Sequence, residues 1–445
     1  MRVKRARVIL GCAAAAVAAA VLLLGGVLAA PPVRAPKAAP SSEDQASLGR
    51  LLDGFSTGNT AAYVRKLERL VARRPEAGDA LTLLGLAYQQ RARETGDPAF
   101  YRLSDEALRR ASAAGGRLPL IVQGRASLAN TRHRFSDGLA LARTAVQLDP
   151  QNGSAYGALG DALLNLGHYD EAFKAYDRMA ALAPGIASYT RIANARELLG
   201  RPAAAAQADV LAPDADRSLV PEQVAWAKVQ LGNIYYNTGR LRAAAHAYRD
   251  ALRQLPGYVH AEAGLARVDA SRGHYTRAIA RLHHVVQVLP IPAYVIMLGD
   301  VLHASGNEPA ANREYALVGA IERLFEANGV RTELQTAVFD LDHKRNVADA
   351  LDRARTAYES APGIYAEDAL AWGLFRAGRC EEARAHSARA LRLGTRDALL
   401  IFHRAMIERC LGSASAQSWF RRALAINPHF SFLWAPVARR AVTQP

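Results

Sequence analysis

Lysine is scarce in this 445-residue chain: only Lys4, Lys37, Lys66, Lys174, Lys228 and Lys344 contribute to 56 basic residues, and the rest are arginine. Aromatic residues make up 7%, which points to close-set helices with small side chains at their contacts. There is no H-E-x-x-H, no G-x-x-x-x-G-K-[ST], no G-x-S-x-G and no Cys-x-x-Cys, so the usual zinc-protease, phosphate-loop, nucleophile-elbow and dithiol chemistries have no carrier. His283 and His284 are adjacent and diverge on a helix, because only residues three or four apart share a face. Asp170-Glu171 falls in a first helical turn, where acids complement the dipole. No catalytic constellation, metal set or cofactor motif emerges, and the chain reads as a non-enzyme without cofactor.

Long apolar runs are also absent, with one exception at the start. Arg2, Lys4, Arg5 and Arg7 precede an uncharged stretch from Val8 to Ala30, closed by Pro31-Pro32. As a helix that stretch spans roughly 34 Å, enough to cross a hydrocarbon core of about 30 Å. The charges ahead of it predict a cytoplasmic N-terminus and export of everything after it. Residues 1–30 thus read as a signal peptide or an uncleaved transmembrane anchor, and both readings place the rest in the cell envelope or outside. Residues 31–47, PPVRAPKAAPSSEDQAS, form a Pro/Ala/Ser spacer. No comparable linker recurs, so residues 48–431 are expected to form one body with a cap and tail over 432–445.

The net charge is +15, of which +4 lies in the first 45 residues. Acids are interspersed throughout and no basic run exceeds three residues, the pattern of solvated arginine on helix exteriors. Nucleic acid is not an expected partner, since export conflicts with it.

Beyond the spacer the chain repeats itself. Leu159-Gly160, Gly167, Ala172, Tyr176 and Pro184 are echoed by Leu231-Gly232, Gly239, Ala244, Tyr248 and Pro256, and Pro150–Pro184 and Pro256–Pro290 are both 34-residue steps. A small residue in the first helix admits the second, a left-handed glycine turns the chain, and proline ends the unit. This resembles the tetratricopeptide repeat, with its L-G-x-x-Y, A-x-x-x-F/Y and closing proline. The resemblance implies an all-α fold of helix-turn-helix repeats stacked into a right-handed superhelical solenoid, extended and free of sheet. Unit starts fall near residues 44, 78, 119, 153, 186, 225, 259, 292, 331, 364 and 398, with extra residues at 95–101, 213–221 and 325–329. The ninth unit carries Arg345 at the turn, where glycine belongs. The tail residues Phe430, Phe432, Leu433 and Trp434 are expected to fold over the last pair.

Solenoids bind along their concave wall. On the central first helices, helical spacing puts Asn194, Trp226, Asn233, Tyr236 and Arg267 on the inward stripe. Asparagine is a poor helix-interior residue, and an amide can both donate to and accept from a peptide backbone. The expected role is a non-catalytic scaffold that takes a protein or peptide segment in this groove. The alternative is an accessory subunit of an envelope enzyme or transporter, and the membrane is reached through the N-terminal segment only. Lys228 and Asn233 have the wrong spacing for a carboxylate clamp.

Cys380 opens a second helix and Cys410 ends the next first helix. Antiparallel neighbours bring these positions to one level, where a disulfide is feasible. Buried free thiols are the alternative.

Overall fold

A computed structural model describes residues 59–215 and 221–443. The expected export segment, the spacer and the first helix of the first unit lie outside these residues. Among the described residues every element is a helix. After α1 (Thr60–Arg73) come ten antiparallel pairs. They are α2 (Gly78–Thr95) with α3 (Ala99–Ala113), α4 (Leu118–Thr131) with α5 (Phe135–Leu148), α6 (Gly153–Asn165) with α7 (Tyr169–Leu182), α8 (Ile186–Leu198) with α9 (Pro202–Ala215), and α10 (Pro221–Asn237) with α11 (Leu241–Gln254). Then follow α12 (Val259–Ser271) with α13 (Tyr275–Val288), α14 (Pro292–Ala304) with α15 (Glu308–Ala327), α16 (Glu333–Asp342) with α17 (Val347–Ser360), α18 (Ile364–Arg376) with α19 (Cys380–Ala390), and α20 (Ala398–Cys410) with α21 (Ala416–Ile426). A closing helix, α22 (Trp434–Thr443), ends the body.

The logic of a unit is visible in α11. The chain leaves α10 through Gly239 in the left-handed region at φ 73°, and α11 then buries Ala244, Ala245, Ala247, Tyr248 and Ala251. These recur at helical spacing, so one stripe faces the neighbouring helices. Pro256 follows, and proline cannot continue the helix. Where glycine is missing at the turn, other residues take its conformation: His133 at φ 57° and Lys344 at φ 56°. The expected turn residue of the ninth unit, Arg345, is displaced by one position, because the α16–α17 connection places Lys344 and Asn346 in the left-handed region instead. Two of the three insertions lengthen helices, carrying α2 to Thr95 and α15 to Ala327.

First helices of successive units pack on one another (α2 on α4, α4 on α6, α10 on α12), while successive second helices barely meet. The first helices therefore sit at the smaller radius and form the inner wall.

The coil is closed, not extended. Arg331 N–H donates to the carbonyl of Arg132 (3.1 Å) and the His133 ring meets the Arg331 carbonyl. Ile364 N–H donates to the Tyr169 hydroxyl (2.7 Å), Arg392 lies over the Tyr169 ring, and the Asn427 amide donates to the Tyr236 carbonyl (3.0 Å). Gly167 abuts Pro362, Gly200 abuts Gly394, and Gly239 abuts Pro428. Partners in the hydrogen bonds of this seam are 191 to 199 residues apart, about six 34-residue units. Each helix-to-helix turn of the first superhelical turn thus sits on an inter-unit joint of the second. The repeat pattern gave no sign of this, because it reports only contacts between neighbouring units.

At the far end α22 reaches back further than the last pair. Trp434 packs on Trp372 (centroids 5.4 Å) and Phe402 (5.7 Å), and its indole N–H donates to Asp342 (2.9 Å). Trp372 donates to the same carboxylate oxygen (3.0 Å).

Candidate functional site: the inner wall

A bracing motif recurs along the wall. Gly160, Gly232 and Gly299 each lie under a tyrosine of the following helix, so that a Cβ there would fall on the ring of Tyr176, Tyr248 or Tyr315. The hydroxyl of that tyrosine reaches past the glycine to the next residue of the first helix. Tyr176 donates to Asp161 (3.0 Å), Tyr248 to Asn233 (2.8 Å) and Tyr315 to Asp300 (2.8 Å), each pair 15 residues apart. A cationic or imidazole side chain from a later first helix completes each node. Arg191 grips Asp161 through two bonds (2.8 and 2.7 Å), Arg267 donates to Asn233 (3.0 Å) and to the Tyr248 hydroxyl (3.1 Å), and His343 meets Asp300 (2.9 Å).

The node built on Asn233 gathers three of the five expected groove residues. The Asn233 oxygen accepts from both Tyr248 and Arg267. Arg267 stacks over Tyr236, 3.8 Å from the ring centroid. Tyr236 is buried, and its hydroxyl bonds Ser271 (2.8 Å) and donates to the His429 carbonyl (2.9 Å). These side chains tie α10, α11 and α12 together and join the first superhelical turn to the second. Their polar atoms are largely committed to the protein itself.

Asn194 and Trp226 sit elsewhere. Asn194 is exposed and has no tyrosine brace: the residue 15 positions on is Asp209, and the small position before it is Ala193. Asp209 is only 2% exposed, neither of its oxygens has a hydrogen-bond partner, and burial, with Glu197 adding, pushes its carboxyl up to about 8. Asn194 instead lines a cavity of about 110 Å³ in the seam, with Glu197, Asn237, Tyr365, Asp397 and Asn427. Burial and the nearby Asp397 raise Glu197 to about 7, against the hydrogen bond from Asn237.

Trp226, 39% exposed, opens an aromatic ladder. It meets His260 edge-on at 5.5 Å, and His260 meets Tyr294 at 5.9 Å and hydrogen-bonds its hydroxyl. Burial lowers His260 to about 4, so its imidazole is neutral at neutral pH. Beside it Tyr258 donates to Glu222 (2.8 Å). Residues 226, 260 and 294 are spaced by 34, the repeat period itself. Tyr294, Tyr258 and Glu222 were missed by the stripe reading, although the strict spacing was a usable signal for Tyr294. Asn165 caps its own helix by donating to the Asp161 carbonyl (2.8 Å).

In the ninth and tenth pairs Cys380 and Cys410 are joined, with Cα atoms 6.3 Å apart. Among the described residues no group of three or more His, Cys, Asp or Glu is arranged to hold a metal ion. No helix among them is long and apolar enough to cross a membrane.

Comparison with known proteins adds the following. No curated protein matches the chain. Among solved structures it is similar to a human IFIT1 dimer with PPP-AAAA, at 14% identity over 87% of this chain and 95% of that one, with a TM-score of 0.43. It is also similar to the APC/C hetero-tetramer Cut9-Hcn1, at 14% identity over 91% and 97%, TM-score 0.33. A third is YrrB, described as a TPR protein with an unusual peptide-binding site, at 19% identity over 42% and 91%, TM-score 0.29. Residues 124–185 and 229–282 match the family model described as tetratricopeptide repeat, and the ten helix pairs among the described residues, stacked about an inner wall of first helices, have the fold of a tetratricopeptide repeat solenoid.

Proposed function

We propose that this chain is a protein-binding scaffold that holds an extended segment of a partner along its inner wall, outside the cytoplasm and tethered or exported through residues 1–30. The observation that carries the reading is the ladder of Trp226, His260 and Tyr294, an aromatic stripe on first helices of three consecutive units that is exposed at Trp226 and half-buried at His260 and Tyr294. Aromatic side chains supply contact area at low entropic cost and dominate the energetics of recognition. Asn194, exposed and unbraced, offers an amide to a peptide backbone. Asn233, Tyr236 and Arg267 hold the wall rigid behind these groups, which reduces the ordering cost of binding.

Affinity capture from solubilised membranes with the full chain tests this reading. Trp226→Ala with Tyr294→Ala should lose the captured partner while helicity by circular dichroism is unchanged. Capture that survives both substitutions rejects the wall as the site. One stoichiometric membrane protein retained by the double variant is the result expected of an accessory subunit. A C-terminal phosphatase fusion should be active in cells, and an inactive one refutes the export reading.

A further inference from the structure

A second surface lies on the edge of the coil, at the turn between α10 and α11. A wide depression there is lined by Arg240, Arg242, Arg249 and Arg272, with Gly239 and Leu241 between them. All four arginines are exposed, and none has an acidic partner among the described residues. Their neighbours differ. Arg277 grips Asp269 and Arg281 pairs with Glu262 and Asp269, while Arg253 pairs with Asp250. The nearby acids are therefore already paired, and the four arginines that line the depression are left uncompensated.

This arrangement works against the fold. Arg240 caps the N-terminus of α11 and Arg242 stands in its first turn, which carries no acid. Cations at that end oppose the helix dipole, and like charges in one depression repel. Arg240 is held in place over the Tyr235 ring, 4.6 Å from its centroid, so it does not simply swing away. Arg249 follows Arg242 by two turns on the same face, and Arg272 arrives from the end of α12. Guanidinium groups from two successive units thus converge on one space.

We propose that this depression docks an acidic peptide segment, giving the scaffold a second contact independent of its inner wall. The inference rests on reading the chain as a protein-binding solenoid. Planar guanidinium groups take carboxylates through paired N–H···O bonds, and four of them suit a run of Asp or Glu. A single-stranded nucleic acid would seek aromatic faces for its bases, and no aromatic side chain lines the depression.

The test uses the full chain and a fluorescein-labelled twelve-residue peptide of alternating Glu and Ser, read by fluorescence anisotropy. Arg242→Glu with Arg249→Glu should weaken binding at least tenfold. Arg421→Glu with Arg422→Glu changes the net charge equally at another exposed site and should weaken it less than twofold. Circular dichroism confirms that both variants fold. Equal losses in the two variants overturn the proposal in favour of general charge attraction. Tighter, patch-dependent binding of a twelve-residue oligothymidylate, or of vesicles containing anionic lipid, overturns it in favour of those partners. The Trp226→Ala, Tyr294→Ala variant should bind the peptide normally, so failure of the inner-wall reading is distinguished from failure of this one.

Discussion

Replacing Gly232 with alanine tests the bracing of the wall at its centre. The Tyr248 ring is wedged between Gly232 and Gly264, is fully buried, and would overlap a Cβ on either glycine. Overpacking of this kind costs about 1–3 kcal/mol. The displaced hydroxyl also leaves Asn233 and Arg267, and lost hydrogen bonds to a charged group cost about 1.5–3 kcal/mol. Alanine returns about 1 kcal/mol of helix propensity. The expected net loss is about 2–4 kcal/mol. Tyr248→Phe, which removes the hydroxyl alone, should cost about 1–2 kcal/mol. In a Tyr248→Leu background the ring is absent, and the cost of Gly232→Ala should fall below ~1 kcal/mol, a coupling that a double-mutant cycle isolates. Urea unfolding followed at 222 nm measures the stabilities, and amide exchange should localise the loss to α10–α12. A Gly232→Ala protein as stable as the parent, or equally destabilised with and without Tyr248, would refute the wedge.

Glu197 and Asp209 are raised to about 7 and about 8 from ordinary values of 4.5 and 3.8. The folded state therefore keeps protons that the unfolded chain releases, and stability should fall as pH rises through this window. Asp209→Asn should exceed the parent by upwards of ~2 kcal/mol at pH 9, and parallel stability curves across pH 5–9 would contradict this. Lys344 occupies a left-handed turn, so Lys344→Gly should raise stability by about 1 kcal/mol, read as the urea midpoint; a lowered midpoint refutes it. Cys380→Ala with Cys410→Ala opens a link between residues 30 apart and should cost about 3 kcal/mol. Thiol labelling of unreduced, denatured protein should leave both cysteines unmodified, and two labelled cysteines would defeat the expectation.

The helix pairs were legible in the sequence because small residues, turn glycines and closing prolines repeat at a fixed interval, and local sterics act within one unit. The role of Asn233 was not. Its isolation in mid-helix suggested a free amide, but its partner Tyr248 lies 15 residues away and reaches it only across Gly232. The clue was the same spacing in Tyr176–Asp161 and Tyr315–Asp300, a correlation between columns rather than within one. Tyr236 likewise looked like a surface ring, because its contact with His429 joins positions 193 residues apart. Arg345 was placed at the ninth turn by counting, whereas the backbone turns at Lys344 and Asn346, where the shortened α16 shifts the frame.

The seam changes how this chain should come apart. An ordinary stack of repeats is a one-dimensional lattice, which frays from its ends unit by unit. Here Tyr169 holds Ile364 and Tyr236 holds the segment around Asn427 and His429, so each unit along the join has neighbours beside it and across it. Such a lattice resists fraying until enough cross-contacts fail together, and then loses many units at once. Folding must wait for closure of loops approaching 200 residues, which slows formation of the last contacts. Pulled from its two ends, the protein should behave less like an elastic ribbon than like a spring wound with its coils touching, rigid up to a threshold force and compliant only after the coils part.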